Sequence, residues 1–320
     1  MKELSKNELF LLLDEDYDEI WRIGKKNRKP RPKPNPSYLR SMLAEELTQP
    51  EDEYKFTYKA SNHEQQWIPA ALETFYDDSL ISDVLAMVKA GKEANVYCCK
   101  AHPGIGLDLL VAKIYRPRRL RNLKNDAMYK EGRPLLGDDG KPLQDHRSLR
   151  AVQRKTRIGK EMSITSWIEH EYQTMVSLDR GGVRVPKPIA QFENAILMEY
   201  IGKAGLPAPT LNTVTLERAE AAQLFHELMY QVERMLAHDL IHADLSAYNV
   251  LYWEGSVTII DFPQVVDPIL NPWGYILLAR DIERLCQYFA RYDIRANPNR
   301  LATDLWRSYI RGELRRGIRA

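Results

Sequence analysis

The sequence predicts an α+β protein with two lobes, a smaller β-rich lobe followed by a mostly helical lobe. Before residue 200, short runs rich in Val, Ile and Tyr fit pleated, half-buried strands. These runs occupy residues 84–88, 96–99, 109–115 and 195–200, and one helix is predicted among them at 164–178. After residue 200, helical periodicity dominates. Strands with a single helix, followed mainly by helices, are typical of a two-lobed α+β architecture.

The helical lobe has its own pattern. Residues 216–238 show apolar side chains at helical spacing along one face. Two short strands are predicted next, at 250–252 and 257–260, and Gly255 lies in the hairpin turn between them. Further helices are predicted from there to the end of the chain.

We therefore expect three regions in the chain. They are an N-terminal extension with short helices and a basic, proline-rich stretch at 1–78, a β-rich lobe at 79–200 with a basic insertion at 116–162, and a helical lobe at 201–320.

Composition indicates a folded, cytoplasmic protein. The 320 residues are 44% hydrophobic and 28% charged, which is not the composition of a disordered chain. The three cysteines match neither a disulfide framework nor a metal-binding spacing. No apolar stretch reaches the roughly 18 residues of a membrane helix, and the N-terminus lacks a signal-peptide cleavage site. We expect no membrane partner.

Positive charge is concentrated in two segments, although the net charge is only +2. Residues 21–40 contain eight Lys or Arg and no acidic residue, and residues 116–160 contain fourteen Lys or Arg against five acids. Such segments suggest an anionic partner, such as nucleic acid or a phosphorylated particle. The alternative interpretation is that both are solvated linkers.

The strongest functional pattern is the pair Asp244 and Asn249, five residues apart in a predicted loop between a helix and a strand. A phosphoryl-transfer site needs a carboxylate to orient the attacking hydroxyl and an oxygen ligand for magnesium, and this pair supplies both. Asp261 directly follows an apolar strand, where a second magnesium ligand belongs. Either Asp alone would be an ordinary capping or turn residue. Their order and spacing together predict a phosphoryl-transfer site.

Lys113 lies inside an otherwise apolar predicted strand, and burying its ammonium is costly unless it meets an anion. The helix predicted at 164–178 offers a partner. Glu171 lies on the face marked by Trp167 and Met175, four residues away on either side, whereas Glu169 is expected to point away. We therefore expect Lys113 to pair with Glu171 beside a nucleotide phosphate.

Residues 88–97 link two predicted strands through Gly91 and small Ala residues, which would let backbone N–H groups approach a phosphate. By itself this segment is a hairpin turn. Its position one strand before Lys113 favours a phosphate-binding loop.

Together these residues resemble the RIO family of atypical protein kinases, in its RIO1 type. The resemblance covers about residues 79–289 and is most specific at 242–249. Lys113 and Glu171 match the family's nucleotide lysine and its glutamate partner. The resemblance also implies nucleotide contacts for the loop residues Gly91, Lys92, Glu93, Ala94 and Val96, for the hinge residues Met198, Glu199 and Ile201, and for Ser246 and Asn249.

The resemblance implies a truncated, protein-kinase-like fold without an activation loop. It implies ATP as substrate and transfer of its γ-phosphoryl group to Ser or Thr of a protein, including the chain itself. Asp244 and Asp261 would be catalytic, and Asn249 and Asp261 would bind Mg²⁺, with Mn²⁺ as a substitute.

Two alternatives stay open. One is an ATPase switch acting on a ribosomal or RNA–protein particle through a phosphate on Asp261, with the segments 21–40 and 116–160 contacting the particle. The less favoured one is a small-molecule phosphotransferase.

The chain departs from the family pattern in the length of its insertion at 116–162, in its N-terminal 78 residues, which do not obviously form the winged helix of RIO2 proteins, and at two places near the expected site. Lys89 and Ala90 occupy positions where RIO1 proteins usually have small hydroxyl residues. Phe262-Pro263-Gln264, rather than Phe-Gly, follows Asp261.

Overall fold

The computed structural model divides the chain into two compact units, residues 1–70 and 71–320. The basic segment 21–40 and most of the N-terminal extension lie outside the described residues. The structure describes residues 56–59, 64–116, 129, 131, 133–137 and 140–314.

Helices and strands occur in separate runs along the chain, as in an α+β protein. The helices are α1 (Glu64–Asp77), α2 (His146–Gln153), α3 (Arg157–Arg180), α4 (Arg218–Ala237), α5 (Gly274–Phe289) and α6 (Pro298–Ile310). The strands are β1 (Ile81–Ala90), β2 (Ala94–Ala101), β3 (Leu109–Tyr115), β4 (Pro188–Phe192), β5 (Ala195–Glu199), β6 (Gly202–Lys203), β7 (Leu206–Pro207), β8 (Val250–Trp253) and β9 (Ser256–Ile259).

One antiparallel sheet of five strands, in the order β1-β2-β3-β5-β4, forms the β-rich part. All four predicted strands are present in it, and β3 has the predicted bounds. Strand β4 was not predicted, because it is short, begins with Pro188 and shows no alternation of buried and exposed residues. Proline at the start of an edge strand removes no ladder hydrogen bond from the sheet interior.

Helix α3 is longer than predicted and begins at Arg157, seven residues before the expected start. The Thr156 hydroxyl caps it by accepting a hydrogen bond from Gly159 N at 3.1 Å. Gly159 is required here, because a Cβ at this position would lie 2.0 Å from Ala151 O at the junction with α2. The basic insertion thus continues directly into the helix that contains Glu171.

The prediction that Glu169 points away from the core is wrong, since this residue is only 3% exposed. Part of the insertion covers the second face of α3. Leu136 N donates to Ser166 Oγ at 2.8 Å, and His170 Nε2 lies 2.7 Å from Pro134 O. Helical periodicity identifies a face but cannot show that a loop from elsewhere in the chain will cover the opposite one.

The helical part follows its predicted order. Helix α4 lies within the predicted range 216–238, and buried Leu228, Val232 and Leu236 pack in the large apolar core. Strands β8 and β9 form the predicted hairpin, whose two-residue turn has positive φ at Glu254 (47°) and Gly255 (79°). Two positive φ angles are typical of hairpin turns that match strand twist.

All three cysteines are buried free thiols. Among the helices that the structure describes, none combines the length and apolar character needed to cross a membrane.

Candidate active site

Lys113 is the centre of a buried charge cluster. It lies on β3, and its Nζ is 2.7 Å from Glu171 Oε1 on α3 and 2.7 Å from Asp261 Oδ1 after β9. The Lys113 and Glu171 side chains are 15% and 1% exposed, whereas that of Asp261 is 44% exposed. One ammonium therefore joins an inner carboxylate to an outer carboxylate that faces solvent.

The opposite charges in this cluster stabilise one another. Burial would lower the pKa of Lys113, but the carboxylates of Asp261 and Glu171 outweigh it and hold that pKa well above its ordinary value. Burial would likewise raise the pKa of Asp261, but the ammonium of Lys113, together with that of Lys89, lowers it. Both groups are charged at neutral pH, as an ion pair in a partly buried site requires.

Tyr115 supports the inner carboxylate from the same strand as Lys113. Its hydroxyl donates to Glu171 Oε2, and its ring packs edge-on against Trp167 with centroids 5.0 Å apart. Glu171 therefore has a partner on each carboxylate oxygen, which fixes its orientation toward Lys113.

Asp244 lies in the loop between α4 and β8 and has two side-chain partners. Its Oδ1 accepts from Arg284 at 2.6 Å, and its Oδ2 accepts from Asn249 Nδ2 at 3.3 Å. Asn249 Nδ2 also donates to Asp244 O at 3.0 Å. The predicted pair Asp244 and Asn249 is thus in direct contact, and Arg284 of α5 is an additional member.

Asp281 of α5 anchors this loop from below. Its carboxylate accepts from Ala243 N at 2.7 Å and from Leu245 N at 3.0 Å. Burial raises the pKa of Asp281 to about 7, although these two bonds act to lower it. Ala243 has φ of 64°, an uncommon value for a residue with a Cβ. Asp281 therefore holds a strained turn immediately before Asp244.

His242 connects the loop to the residue before Asp261. Its Nδ1 accepts from Asp244 N at 3.3 Å, and its Nε2 lies 3.2 Å from Ile260 O. An accepting Nδ1 and a donating Nε2 define one neutral tautomer. Burial, the largest effect, lowers the pKa of His242 and favours this neutral form. Asp261 itself has φ of 73°, a second strained position in the site.

Asn249 and Asp261 are neighbours through the backbone, because Ile260 N donates to Asn249 O at 3.0 Å. Carboxylate and amide oxygens are ligands that Mg²⁺ prefers, and Mg²⁺ is usually completed by substrate phosphates and water. The Asn249 amide nitrogen donates to Asp244, so its amide oxygen lies on the other branch of the side chain. Together with the 44% exposed carboxylate of Asp261, this donor set fits Mg²⁺.

The predicted phosphate loop is the tight turn between β1 and β2, which contains Gly91, Lys92, Glu93 and, at the start of β2, Ala94. Gly91 N donates to Ala94 O at 2.9 Å, and a Cβ on Gly91 would lie 2.4 Å from that oxygen. Only glycine fits this close approach. Val96, two residues further on, lies directly opposite Lys113 in the sheet.

The predicted hinge residues lie at the end of β5. Ile196 is opposite Lys113, and Met198, two residues along, therefore shares its face of the sheet. Glu199 N donates to Lys187 O at 2.9 Å, and Glu199 Oε2 accepts from Lys187 N at 3.1 Å. Ile201 O accepts from Ala208 N at 2.9 Å.

The structure thus brings Lys113, Glu171, Asp244, Asn249 and Asp261 into one cluster. Ser246 joins that cluster through its backbone, since its carbonyl accepts from Asn249 N at 2.9 Å. The loop and hinge residues lie on adjoining strands. The catalytic, nucleotide-binding and metal-binding roles of all these residues stay predictions.

Sequence reasoning missed Tyr115, Asp281 and Arg284. One indication was available for Asp281, because it is a lone acid at helical spacing with buried Leu278 and Leu285. A buried carboxylate needs donors, but nothing in the spacing identifies the loop 38 residues earlier as their source.

The insertion also contacts the chain beyond Asp261. Arg133 donates to Pro263 O at 3.0 Å and to Val265 O at 2.6 Å. Asn271 Nδ2 donates to Glu131 O at 3.2 Å. With its contacts to α3, the insertion joins the helix that contains Glu171 to the segment that follows Asp261.

Similar proteins are found by sequence. A family model of the RIO domain matches residues 141–301. The RIO-type serine/threonine-protein kinase Rio1 of Thermoplasma acidophilum is 32% identical over 157 residues, which are 49% of this chain and 78% of that protein. Its counterpart in Haloferax volcanii is 29% identical over 233 residues, 72% of each chain. Human serine/threonine-protein kinase RIO1 is 28% identical over 216 residues, 67% of this chain but only 34% of the human protein.

A solved structure shows the same fold. The Rio2 kinase–ADP/Mg²⁺–phosphoaspartate complex from Chaetomium thermophilum aligns with a TM-score of 0.53 over 84% of this chain and 74% of that chain, at 22% identity. The predicted kinase-like α+β fold is confirmed by this likeness, and the predicted resemblance to RIO1-type proteins is confirmed by the sequence matches.

Proposed function

Because the chain belongs to the RIO domain family, we propose that it is an ATP- and Mg²⁺-dependent serine/threonine protein kinase of the RIO1 type. Its reaction is transfer of the γ-phosphoryl group of ATP to a Ser or Thr hydroxyl of a protein, including the chain itself. The main support for this proposal is that Lys113 Nζ lies 2.7 Å from each of two carboxylates, Glu171 and Asp261, which come from distant elements of the chain.

In this proposal Lys113 binds phosphate oxygens of ATP, and Glu171 holds the ammonium in place. Two partners fix Glu171, so the ammonium has a defined position before the nucleotide arrives. Preorganised positive charge of this kind stabilises the charge that develops on a transferring phosphoryl group.

Asp244 orients the acceptor hydroxyl. Arg284 and Asn249 restrain one carboxylate oxygen each, so the direction of the group is set by the fold. Contacts that matter mainly in the transition state change turnover more than they change nucleotide affinity.

Asn249 and Asp261 would hold the metal ion. Bound there, Mg²⁺ would supply positive charge to stabilise the charge that develops on the transferring phosphoryl group. Mn²⁺ also accepts oxygen ligands, and we propose it as a substitute.

The remaining nucleotide contacts are proposed from the order of the strands. The proposed lobes are residues 79–200, with the insertion at 116–162, and residues 201–320. ATP would then lie between these two lobes. Adenine would lie against Met198, Glu199 and Ile201, and the phosphates would lie beneath Gly91, Lys92, Glu93, Ala94 and Val96, near Ser246.

The test uses the full chain, γ-³²P-ATP and Mg²⁺, with and without casein as a general protein acceptor. We expect acid-stable label on Ser or Thr. Asp244→Ala should bind ATP–Mg²⁺ with nearly unchanged affinity and lose about a hundredfold or more in turnover. Asp304→Ala, which removes an exposed carboxylate 3.6 Å from Arg300, is the matched control and should behave as wild type.

Other labelling patterns would contradict the kinase proposal. Label released by hydroxylamine would indicate an acyl phosphate, and free phosphate without labelled protein would indicate hydrolysis. Either result would favour the ATPase alternative. Unchanged turnover of Asp244→Ala would remove this residue from the mechanism.

We also propose that the basic insertion binds an RNA-rich, ribosomal partner in the cytoplasm. The segment 21–40 lies outside the described residues, but α2 and its C-cap place exposed Arg147, Arg150 and Arg154 at helical spacing on one face. Exposed Arg157 follows, with Glu161 3.2 Å from its Nε.

Replacing Arg147, Arg150 and Arg154 by Gln should weaken binding to ribosomal particles. Each phosphate contact that forms on binding releases counterions. A variant with three fewer contacts therefore releases fewer of them, and the slope of log K against log salt should become shallower by about two to three units. An unchanged slope would show that this face is a solvated surface.

A further inference from the structure

Lys89 lies on the same face of the sheet as Lys113. In the β2–β3 ladder Lys113 is directly opposite Val96, and in the β1–β2 ladder Val96 is directly opposite Lys89. Residues directly opposite each other in antiparallel strands project from the same face. The three residues therefore form one row across three strands, and strand spacing separates the two lysine backbones by roughly 10 Å.

A β-bulge creates this register. Met87 pairs with Tyr97 and Lys89 pairs with Val96, so β1 has one more residue than β2 at this point. Without the extra residue, Val88 would oppose Val96, and Lys89 would oppose Asn95 on the other face. Bulges beside active sites commonly redirect a side chain in this way. The bulge therefore places Lys89 on the face of the sheet that Lys113 occupies.

Lys89 therefore shares a face of the sheet with the centre of the charge cluster. On that face Lys113 Nζ lies 2.7 Å from Asp261 Oδ1. Lys89 is itself exposed at the end of β1, two residues before Gly91. A long, exposed cationic side chain on this face can therefore reach an anion bound between the sheet and Asp261.

We propose that Lys89 is a second phosphate-binding cation of the nucleotide site, opposite Lys113. This inference depends on the proposed function, because it needs ATP on this face of the sheet. Lys113 contacts the phosphates from the floor of the site, where Glu171 restrains it. Lys89 contacts them from the strand that leads into the loop at Gly91. The ligand it recognises is the triphosphate and not the nucleoside.

The test measures the affinity of the full chain for ATP–Mg²⁺ and for adenosine by calorimetry. Lys89→Gln keeps most of the side-chain length and removes the charge, and it should weaken ATP–Mg²⁺ binding about fivefold, the scale of a partly exposed charge contact. Its affinity for adenosine should not change. Lys89→Arg should restore ATP binding to near the wild-type value.

The matched control is Lys100→Gln. Lys100 is an exposed lysine of β2, four residues from Val96 and therefore on the same face but about 13 Å along the strand. The Lys100→Gln substitution removes one positive charge from the same sheet and should leave the affinities for ATP–Mg²⁺ and for adenosine unchanged.

Three outcomes would overturn the inference. They are an unchanged ATP affinity in Lys89→Gln, an equal loss in Lys100→Gln, and an equal loss of adenosine affinity in Lys89→Gln. Each of these is compatible with a wild-type protein that transfers phosphate, so the proposed function would stand. A wild-type chain that does not bind ATP–Mg²⁺ at all would overturn both proposals.

Discussion

Asp281→Ala tests whether a buried carboxylate on α5 holds the loop that positions Asp244. Asp281 accepts hydrogen bonds from Ala243 N and Leu245 N, and both of those residues are fully buried. Alanine provides no acceptor, and water has little access to either N–H group. The substitution therefore leaves two buried donors without partners.

The expected loss of stability follows from these two groups. Leaving a buried N–H unsatisfied costs about 1–3 kcal/mol, and two of them would cost about 2–6 kcal/mol. Part of this loss is offset, because burying the carboxylate is itself unfavourable. That burial raises the pKa of Asp281 to about 7, and replacing the carboxylate by a methyl group removes this unfavourable contribution. We expect the free energy of unfolding to fall by about 2–4 kcal/mol in Asp281→Ala and by about half as much in Asp281→Asn, which retains one acceptor.

The assay is urea unfolding followed by circular dichroism, with kcat measured separately under conditions where each variant is folded. Without its anchor, Ala243 can leave its strained φ of 64°, and Asp244 loses its orientation. We therefore expect kcat to fall at least tenfold while ATP affinity changes little. Asp304→Ala is the control, since its exposed ion pair contributes about 0–1 kcal/mol.

A stability change below about 1 kcal/mol in Asp281→Ala, with wild-type kcat, would show that the loop holds its conformation without α5. A large loss of stability with unchanged kcat in the folded protein would separate the two roles and leave Asp281 as a purely structural residue.

Two further predictions concern α3. Glu171→Gln removes the inner charge beside Lys113 and should lower kcat/KM at least tenfold in the folded protein, and an unchanged kcat/KM would contradict a positioning role. For His170, burial lowers the pKa to about 4, so the unfolded chain takes up a proton between pH 6.5 and 4 that the folded chain does not. Stability should therefore fall as pH falls through this window, by roughly 2 kcal/mol at pH 5 relative to pH 8. Urea unfolding of His170→Gln, which cannot titrate, should show a smaller fall, and parallel curves would refute the assignment.

Much of the catalytic cluster could be predicted without the structure because its members obey local rules. Lys113 is conspicuous as a charge in an apolar strand, and Glu171 is conspicuous on the apolar face of a helix. Asp244 and Asn249 are five residues apart on one loop, where spacing alone brings them together. Asp261 directly follows the strand predicted at 257–260. Each of these patterns depends on neighbours within a few residues.

Other features depend on contacts between distant parts of the chain. Glu169 is buried because the insertion covers the second face of α3, and β4 becomes a strand because β5 offers it an edge. Arg284 reaches Asp244 from a helix 40 residues away. Local propensity contains no information about which distant segment will provide a partner.

The class of fold, the order of the predicted strands and helices, and the ionic pair of Lys113 with Glu171 could all be inferred from the amino-acid sequence, because periodicity and the cost of burying charge are local properties. How the site is held, and which further charges share its face of the sheet, depend on tertiary contacts. Asp281 became an anchor only when α5 packed against the loop, and Lys89 came to share the face of Lys113 only through a bulge in the register of β1. Burial removes water as a competing partner, and only the folded chain shows where that happens.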